Sequence, residues 1–235
     1  PYLSRGLGDV YKRQNLARLT HAPDITLIYE SGTIGTAPDT LPLSIGDGEL
    51  CDTAITTVSV PEMFRYWLQG GHITIGFLGA AQIDRFGNIN TTVIGDYDRP
   101  KTRLPGGGGA PEIASLSQKV FVTMKQSRRG MVDKIDFFTS FGHGEGGDHR
   151  RRMGLSTAGP AALITDLAVW KPDEESGELT VTSLHPGVSR DMVRDSCGWP
   201  VAFAEKVGET APPTEVELDV LRGLKARTAA AHAAG

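Results

Sequence analysis

Two short segments of this 235-residue chain carry residue types suited to acyl chemistry. Glu30 stands in Tyr29-Glu30-Ser31-Gly32, directly after the apolar run Ile25, Leu27, Ile28 and Tyr29. A carboxylate is ionised at neutral pH and can attack an acyl carbon without a partner base, which a serine hydroxyl cannot. Taken alone, such a residue is better explained as a solvated turn glutamate. The second segment is Pro105-Gly106-Gly107-Gly108-Gly109-Ala110, followed by Pro111-Glu112-Ile113-Ala114, where proline marks a helix start. Amides unshielded by side chains can hold a phosphate or the oxyanion of a tetrahedral intermediate there. No Lys-Ser or Lys-Thr follows, which excludes a Walker loop, and the Gly-x-Gly-x-x-Gly dinucleotide spacing does not fit. The plain alternative is a flexible loop.

Three further segments carry weaker signals. Phe77-Leu78-Gly79-Ala80-Ala81-Gln82-Ile83-Asp84 leads a strand into small residues and a polar Gln82, and Phe86-Gly87-Asn88 reads as a tight turn. Arg99, Lys101 and Arg103 add positive charge just ahead of the glycine loop. Between Gly142 and His149 lie His, Glu and Asp residues whose spacing matches no metal motif, so no metal is expected. Arg150, Arg151 and Arg152 read as an exposed basic loop, with contact to the phosphates of a ligand as the alternative.

The elements that must position these residues alternate between strand and helix. The apolar run ending at Tyr29 predicts a strand buried on both faces, as in a parallel sheet, and His21-Ala22-Pro23 stops a short helix before it. Pro61 opens a helix through Met63, Phe64 and Trp67, with Gly70-Gly71 ahead of a strand from Ile73 to Leu78. Further strands are predicted at Val120 to Met124, Ile135 to Phe138 and Leu163 to Trp170, with a hairpin turn at Pro172 to Gly177 returning through Leu179 to Leu184. Ser189 caps one helix, and Thr214 with Glu217 forms a capping box for the last. The pattern predicts an α/β fold: an open, mostly parallel sheet flanked by helices, with an antiparallel hairpin.

Composition narrows the functional classes. The 29 glycines are roughly 12% of the chain against a usual share of about 7%, which favours tight turns and close backbone approach to a ligand. A formal net charge of -4 without a basic stripe excludes nucleic acid as an expected partner. No apolar run is long enough for a membrane span, and no signal peptide is read, so a cytoplasmic protein is expected. Cys51 and Cys197 are the only cysteines, far apart in sequence, and read as reduced thiols. Residues 1–14 show no clear period and resemble translated adapter read-through at the ends of environmental assembly fragments. They are read as non-native. One domain is expected over residues 15–226, opening in mid-helix and lacking a preceding strand, with a flexible Ala-rich tail at 227–235.

Taken together, these motifs resemble the B subunit of family I coenzyme A transferases, nearest to the glutaconate CoA-transferase type. Glu30-Ser31-Gly32 matches the family's catalytic Glu-Ser-Gly motif, and Gly106-Gly107-Gly108-Gly109-Ala110 its oxyanion loop. Ala22-Pro23-Asp24, Ala81-Gln82-Ile83-Asp84, Gly87-Asn88, Gly95-Asp96-Tyr97 and Pro100-Lys101-Thr102-Arg103 add support. The resemblance implies a CoA-transferase/ribose-phosphate isomerase-like fold. It implies CoA transfer between an acyl-CoA and a carboxylic acid, with Glu30 as the covalent nucleophile and Ser31, Gly32 and Gln82 as substrate contacts. The coenzyme A thioester is then substrate, no cofactor is permanently bound, and an A subunit completes a hetero-oligomer. Leu184-His185-Pro186-Gly187-Val188 is similar to a segment of the ring-opening CoA hydrolases of steroid degradation, which share the fold. That hydrolase and a noncatalytic ligand-sensing subunit are the alternatives. The glutamate at Glu30 favours transfer.

Overall fold

The computed structural model describes residues 4–233, and their side chains except at 4–9 and 232. Residues 1–3 of the N-terminal stretch and 234–235 of the Ala-rich tail lie outside the described residues. In chain order the elements open with α1 (Ser4–Leu19), β1 (Thr33–Ile34), α2 (Gly48–Asp52), β2 (Thr56–Thr57) and α3 (Val60–Glu62), which runs into a π-helical turn at Met63–Leu68. They continue with β3 (Ile75–Gly79), β4 (Gln82–Ile83), β5 (Ile89–Asn90), β6 (Val93–Gly95), β7 (Pro100–Arg103), α4 (Ala110–Leu116) and β8 (Lys119–Thr123). After α5 (His149–Arg152) come β9 (Pro160–Ile164), β10 (Ala168–Pro172), β11 (Leu179–Leu184), α6 (Arg190–Asp195), β12 (Ala202–Glu209) and α7 (Glu215–Ala233). By their contacts the described residues form two compact units, residues 4–67 with 213–233, and Leu68–Pro212.

The smaller unit packs Tyr11, Leu27, Tyr29, Leu41, Leu50 and Leu224 into one apolar cluster. Leu27 and Tyr29 are buried while Ile25 is exposed, so the run before Glu30 hides one face, not two. No ladder flanks it. It folds back on itself, joined by an isolated bridge from Ile28 to Ile34 and by the Gly35 amide donating to the Leu27 carbonyl. The expected both-face-buried strand is therefore corrected: apolar content alone cannot separate such a strand from an extended segment lying on a small core. Helix α1 ends at Leu19 as read, but it begins at Ser4, inside the stretch in which no period was found. The capping box before α7 forms, with the Thr214 hydroxyl and the Glu217 carboxylate each accepting the other's amide. That helix continues through Ala233, so the tail expected to be flexible from residue 227 is helical.

The larger unit is built on a six-stranded sheet of order β12-β11-β10-β9-β8-β3. Five of its strands run in one direction and β10 is opposed. The mostly parallel sheet with an antiparallel hairpin is thus present. The predicted strand from Leu163 to Trp170 is instead two, β9 and β10, because Thr165 turns the chain between them. Its hydroxyl accepts the amides of Leu167 and Ala168, a local turn that competes with the ladder. Ile135 to Phe138 has no ladder partner and is irregular. Trp170, Leu163, Leu179, Val181, Val120 and Val122 fill the core on the sheet. Gly76 on β3 admits α4 at close range: a Cβ there would stand 2.6 Å from a methyl of Ile113 and 2.6 Å from the Ser117 hydroxyl. This close packing positions the helix that follows the glycine loop.

Candidate functional site

Glu30 and Ser31 occupy the centre of a tight turn in the smaller unit. The Gly32 amide donates to the Tyr29 carbonyl at 2.9 Å, and the Tyr29 amide donates to the Thr33 carbonyl at 3.0 Å. Gly32 adopts φ +107°, a left-handed angle natural to glycine. The Val58 amide donates to its carbonyl at 2.8 Å, and a Cβ at Gly32 would lie 2.1 Å from the Val58 carbonyl oxygen. No side chain fits there. The turn therefore holds Glu30 at its tip, half-buried, on a backbone fixed from both sides. Beside it, burial pushes the Tyr11 hydroxyl up to about 12, and the negative charge of Glu30 and then of Asp47 adds to this. The hydroxyls of Ser31 and Thr33 are buried and find no hydrogen-bond partner among the described residues.

In the larger unit, the glycine loop lies between β7 and α4. Gly106 and Gly108 take φ +95° and +51°. The Gly106 amide donates to the Thr91 carbonyl at 2.9 Å, and the Thr91 hydroxyl donates back to the Gly106 carbonyl at 2.9 Å. Thr139 accepts the Thr91 amide at 3.0 Å and shares a 2.7 Å hydroxyl contact with Thr92. The Ala110 amide closes a turn on the Gly107 carbonyl, and Gly109, at the N-terminal boundary of α4, has no side chain to cap it. The amides of Gly107, Gly108 and Gly109 have no acceptor among the described residues. These are open donors on a bonded scaffold, the arrangement an oxyanion requires.

Gln82, expected as a substrate contact, is only 5% exposed and both ends of its amide are engaged internally. Its Oε1 accepts from Asn90 Nδ2 at 2.7 Å and from the Asp136 amide at 3.0 Å, and its Nε2 donates to Asp136. Asn90 in turn accepts the amides of Thr92 and Val93, so Gln82 supports the link between β5 and β6 that carries Thr91. Arg150 overturns the exposed-loop reading. It is 5% exposed, and its guanidinium donates inward to carbonyls, while Arg151 and Arg152 remain outside and pair with Asp148. A three-arginine run in one sequence does not reveal which member turns inward. His185 is spent on Thr210 Oγ1 and the Thr165 carbonyl, a packing role.

The residues between Gly142 and His149 form a turn cluster. Asn88 Oδ1 accepts the amides of Gly142 and Gly144, and burial lowers the His143 imidazole from its ordinary value. Cys197 is buried, its thiol pushed up to about 11 by that burial, and Cys51 is exposed; neither is bonded to another cysteine. Among the described residues no helix is long and apolar enough to cross a membrane. Thr91, Thr92 and Thr139, which hold the glycine loop, were not singled out from sequence. The Asn90-Thr91-Thr92 sequence was the available signal, since Asn and Thr side chains compete for local backbone groups.

Comparison with known proteins identifies the family. The coenzyme A transferase family model matches residues 12–196. Over 227 residues, 97% of this chain and 87% of the relative, the chain is 64% identical to the B subunit of the 3-oxoadipate CoA-transferase of Pseudomonas knackmussii. The crystal structure of glutaconate coenzyme A-transferase from Acidaminococcus fermentans superposes with a TM-score of 0.84 at 31% identity, covering 90% of this chain and 82% of that one. A cholesterol ring-cleaving hydrolase IpdB subunit of Mycobacterium tuberculosis is 26% identical, covering 89% of this chain and 80% of the relative. Family match, high identity and fold agree: the chain belongs to the coenzyme A transferase family and resembles the B subunits within it.

Proposed function

We propose that this chain is the catalytic B subunit of a two-subunit CoA-transferase that moves CoA between an acyl-CoA and a dicarboxylic acid of the 3-oxoadipate type. The observation that carries the substrate class is the 64% identity to a 3-oxoadipate CoA-transferase subunit over nearly the whole chain. The glutaconate enzyme, about half as similar, makes glutaconate the weaker choice. The ring-opening hydrolase is not favoured, at 26% identity. The partner is an A subunit, and the reduced cysteines fit a cytoplasmic setting.

The chemistry follows from a carboxylate on a rigid turn. The Glu30 carboxylate attacks the thioester carbonyl, the carbon–sulfur bond breaks, and CoA leaves as thiolate, giving a mixed acyl-glutamyl anhydride. The thiolate then attacks the glutamyl carbonyl and expels the donor acid as its carboxylate, leaving a glutamyl-CoA thioester. The acceptor carboxylate attacks that thioester, the thiolate departs, and its return to the new acyl carbon frees Glu30. No proton is consumed and no ATP is needed. Each tetrahedral step develops an oxyanion, and the open amides of Gly107, Gly108 and Gly109 are donors of the kind that stabilises it. Water must be kept from both covalent intermediates, because either one hydrolyses.

The test is a substrate panel with this chain and its A subunit together. Acetyl-, succinyl- and glutaryl-CoA are offered against 3-oxoadipate, glutaconate and acetate, and the acid with the highest kcat/KM names the acceptor. Incubation with acyl-CoA, borohydride reduction and peptide mapping then locates the covalent adduct. Modification at Glu30 supports the mechanism, and modification elsewhere overturns it.

A further inference from the structure

We propose that Arg150 is a positioning residue for the glycine loop, holding from behind the helix that follows the loop's open amides. This rests on the oxyanion reading given above. A helix of seven residues such as α4 is marginal by itself, and its N-terminus lacks the side-chain cap that would ordinarily steady it. Support for this helix comes from its other end.

Arg150 supplies it there. Its Nη2 donates to the carbonyls of Ala114 and Ser115, in the last turn of α4, at 3.0 and 3.1 Å. A cation at that end also complements the negative pole of the helix. Nη1 donates to the Gly142 carbonyl at 2.9 Å and Nε to the Thr157 carbonyl at 2.8 Å. Thr157 completes the clasp, because its hydroxyl donates to the Ser115 carbonyl at 2.7 Å while accepting from Arg150. Gly142 lies three residues after Thr139, the residue that holds Thr91 and Thr92 against Gly106. One guanidinium thus joins the two supports of the loop, the helix behind it and the segment beside it.

The group is expensive to bury. No carboxylate pairs with Arg150 among the described residues, and burial lowers its guanidinium to about 10. A buried charge held by carbonyl dipoles and one hydroxyl, without a carboxylate, is hard to explain as simple packing, since an apolar residue of similar size would fill the space without the desolvation. Lysine cannot reproduce the clasp, because a single ammonium lacks the planar fork that reaches separate carbonyls.

The test compares Arg150→Lys, Arg150→Gln and Thr157→Val with Leu179→Ala, a core variant at a fully buried position on β11. All are assayed as the A–B complex at 25 °C, with thermal unfolding measured alongside. For the Arg150 variants kcat is expected to fall at least tenfold, with the acyl-CoA KM changing less than threefold and Lys recovering part of the loss. Thr157→Val is expected to fall less, in the same direction. Leu179→Ala is expected to lose comparable Tm and keep kcat within twofold. The proposal is overturned if the Arg150 variants, like Leu179→Ala, lose Tm while keeping kcat within twofold, or if KM rises while kcat holds. Should the Arg150 variants not fold, an unchanged kcat in Thr157→Val overturns it. A Gly109→Val variant with full activity would instead sink the oxyanion reading itself.

Discussion

Around Glu30 the backbone is bonded and side-chain hydroxyls are left over, while in the glycine loop the surrounding side chains are bonded and backbone amides are left over. In the first region, Tyr29, Gly32, Thr33 and Val58 pair through main-chain groups, and the Ser31 and Thr33 hydroxyls have no partner among the described residues. In the second, Thr91, Thr92, Thr139 and Arg150 are all engaged, and the amides of Gly107 to Gly109 have no acceptor among those residues. The contrast matches the two chemical tasks. A nucleophile is a side chain, so its turn must fix the main chain beneath it. An oxyanion cradle made of main chain must be fixed by side chains. Unsatisfied buried polar groups are rare in folded proteins, and each calls for an explanation.

The largest expected effect breaks the first region. Glu30→Gln keeps the side chain's size and removes its charge, so transfer by the complex should fall about 10³-fold or more. Glu30→Asp withdraws the carboxylate by one methylene, and the ratio of hydrolysis to transfer should rise as water enters. Product analysis by liquid chromatography separates the two outcomes, and transfer at the wild-type rate in Glu30→Gln would refute covalent catalysis. The next largest effect concerns the loop. Gly109 has φ −87°, an angle any residue adopts, so Gly109→Val adds bulk beside the amides without backbone strain. A loss in kcat of about 10- to 100-fold is expected, given that one oxyanion donor is worth about 10²- to 10³-fold. Gly108→Val, at φ +51°, adds strain to the same crowding and should lose stability as well.

What could be read from one sequence followed the range of the interactions involved. Caps were legible because they act within a turn: Ser189 accepts the Met192 amide, and Thr214 and Glu217 exchange bonds three residues apart. The order of the glycine loop and α4 was legible for the same reason. Partnership across the chain was not. The run before Tyr29 and the segment Ile135 to Phe138 carry strand-like apolar content, yet neither lies in a sheet, because pairing is decided by distant segments. The break at Thr165 was hidden inside an apolar stretch. Glu30 and the glycines could be named from their residue types and order, whereas the inward turn of Arg150 depends on carbonyls at Ala114, Ser115 and Gly142 that no local pattern gathers.

A third prediction concerns the scaffold behind the loop. His143 Nε2 lies 3.1 Å from the Pro160 carbonyl, which a neutral ring protonated at Nε2 can serve as donor. Burial, reinforced by the Arg150 charge, lowers this imidazole below its ordinary value, against the raising effect of Pro160. A base whose folded value is depressed contributes stability that is present above the unfolded value, about 6.5, and is lost as pH falls through the folded one. Thermal unfolding should therefore show the wild type losing more Tm than His143→Gln between pH 7.5 and pH 5. Equal slopes would show that the imidazole does not couple to folding.

The smallest expected effect tests how the smaller unit is closed. The Thr228 hydroxyl, on α7, donates to the Leu224 carbonyl at 2.8 Å and accepts the Leu41 amide at 2.9 Å, linking the helix to a segment far away in sequence. Leu41 and Leu224 share the apolar cluster with Tyr29, whose carbonyl anchors the Glu30 turn. Thr228→Val preserves the shape of the side chain and leaves the Leu41 amide without its acceptor, which should cost about 1 kcal/mol at this partly buried position. Because the main-chain bonds of the turn remain, transfer at 25 °C should stay within twofold of wild type. A drop in kcat as large as that of Gly109→Val would mean that the turn is held through α7 and not by Gly32 and Val58.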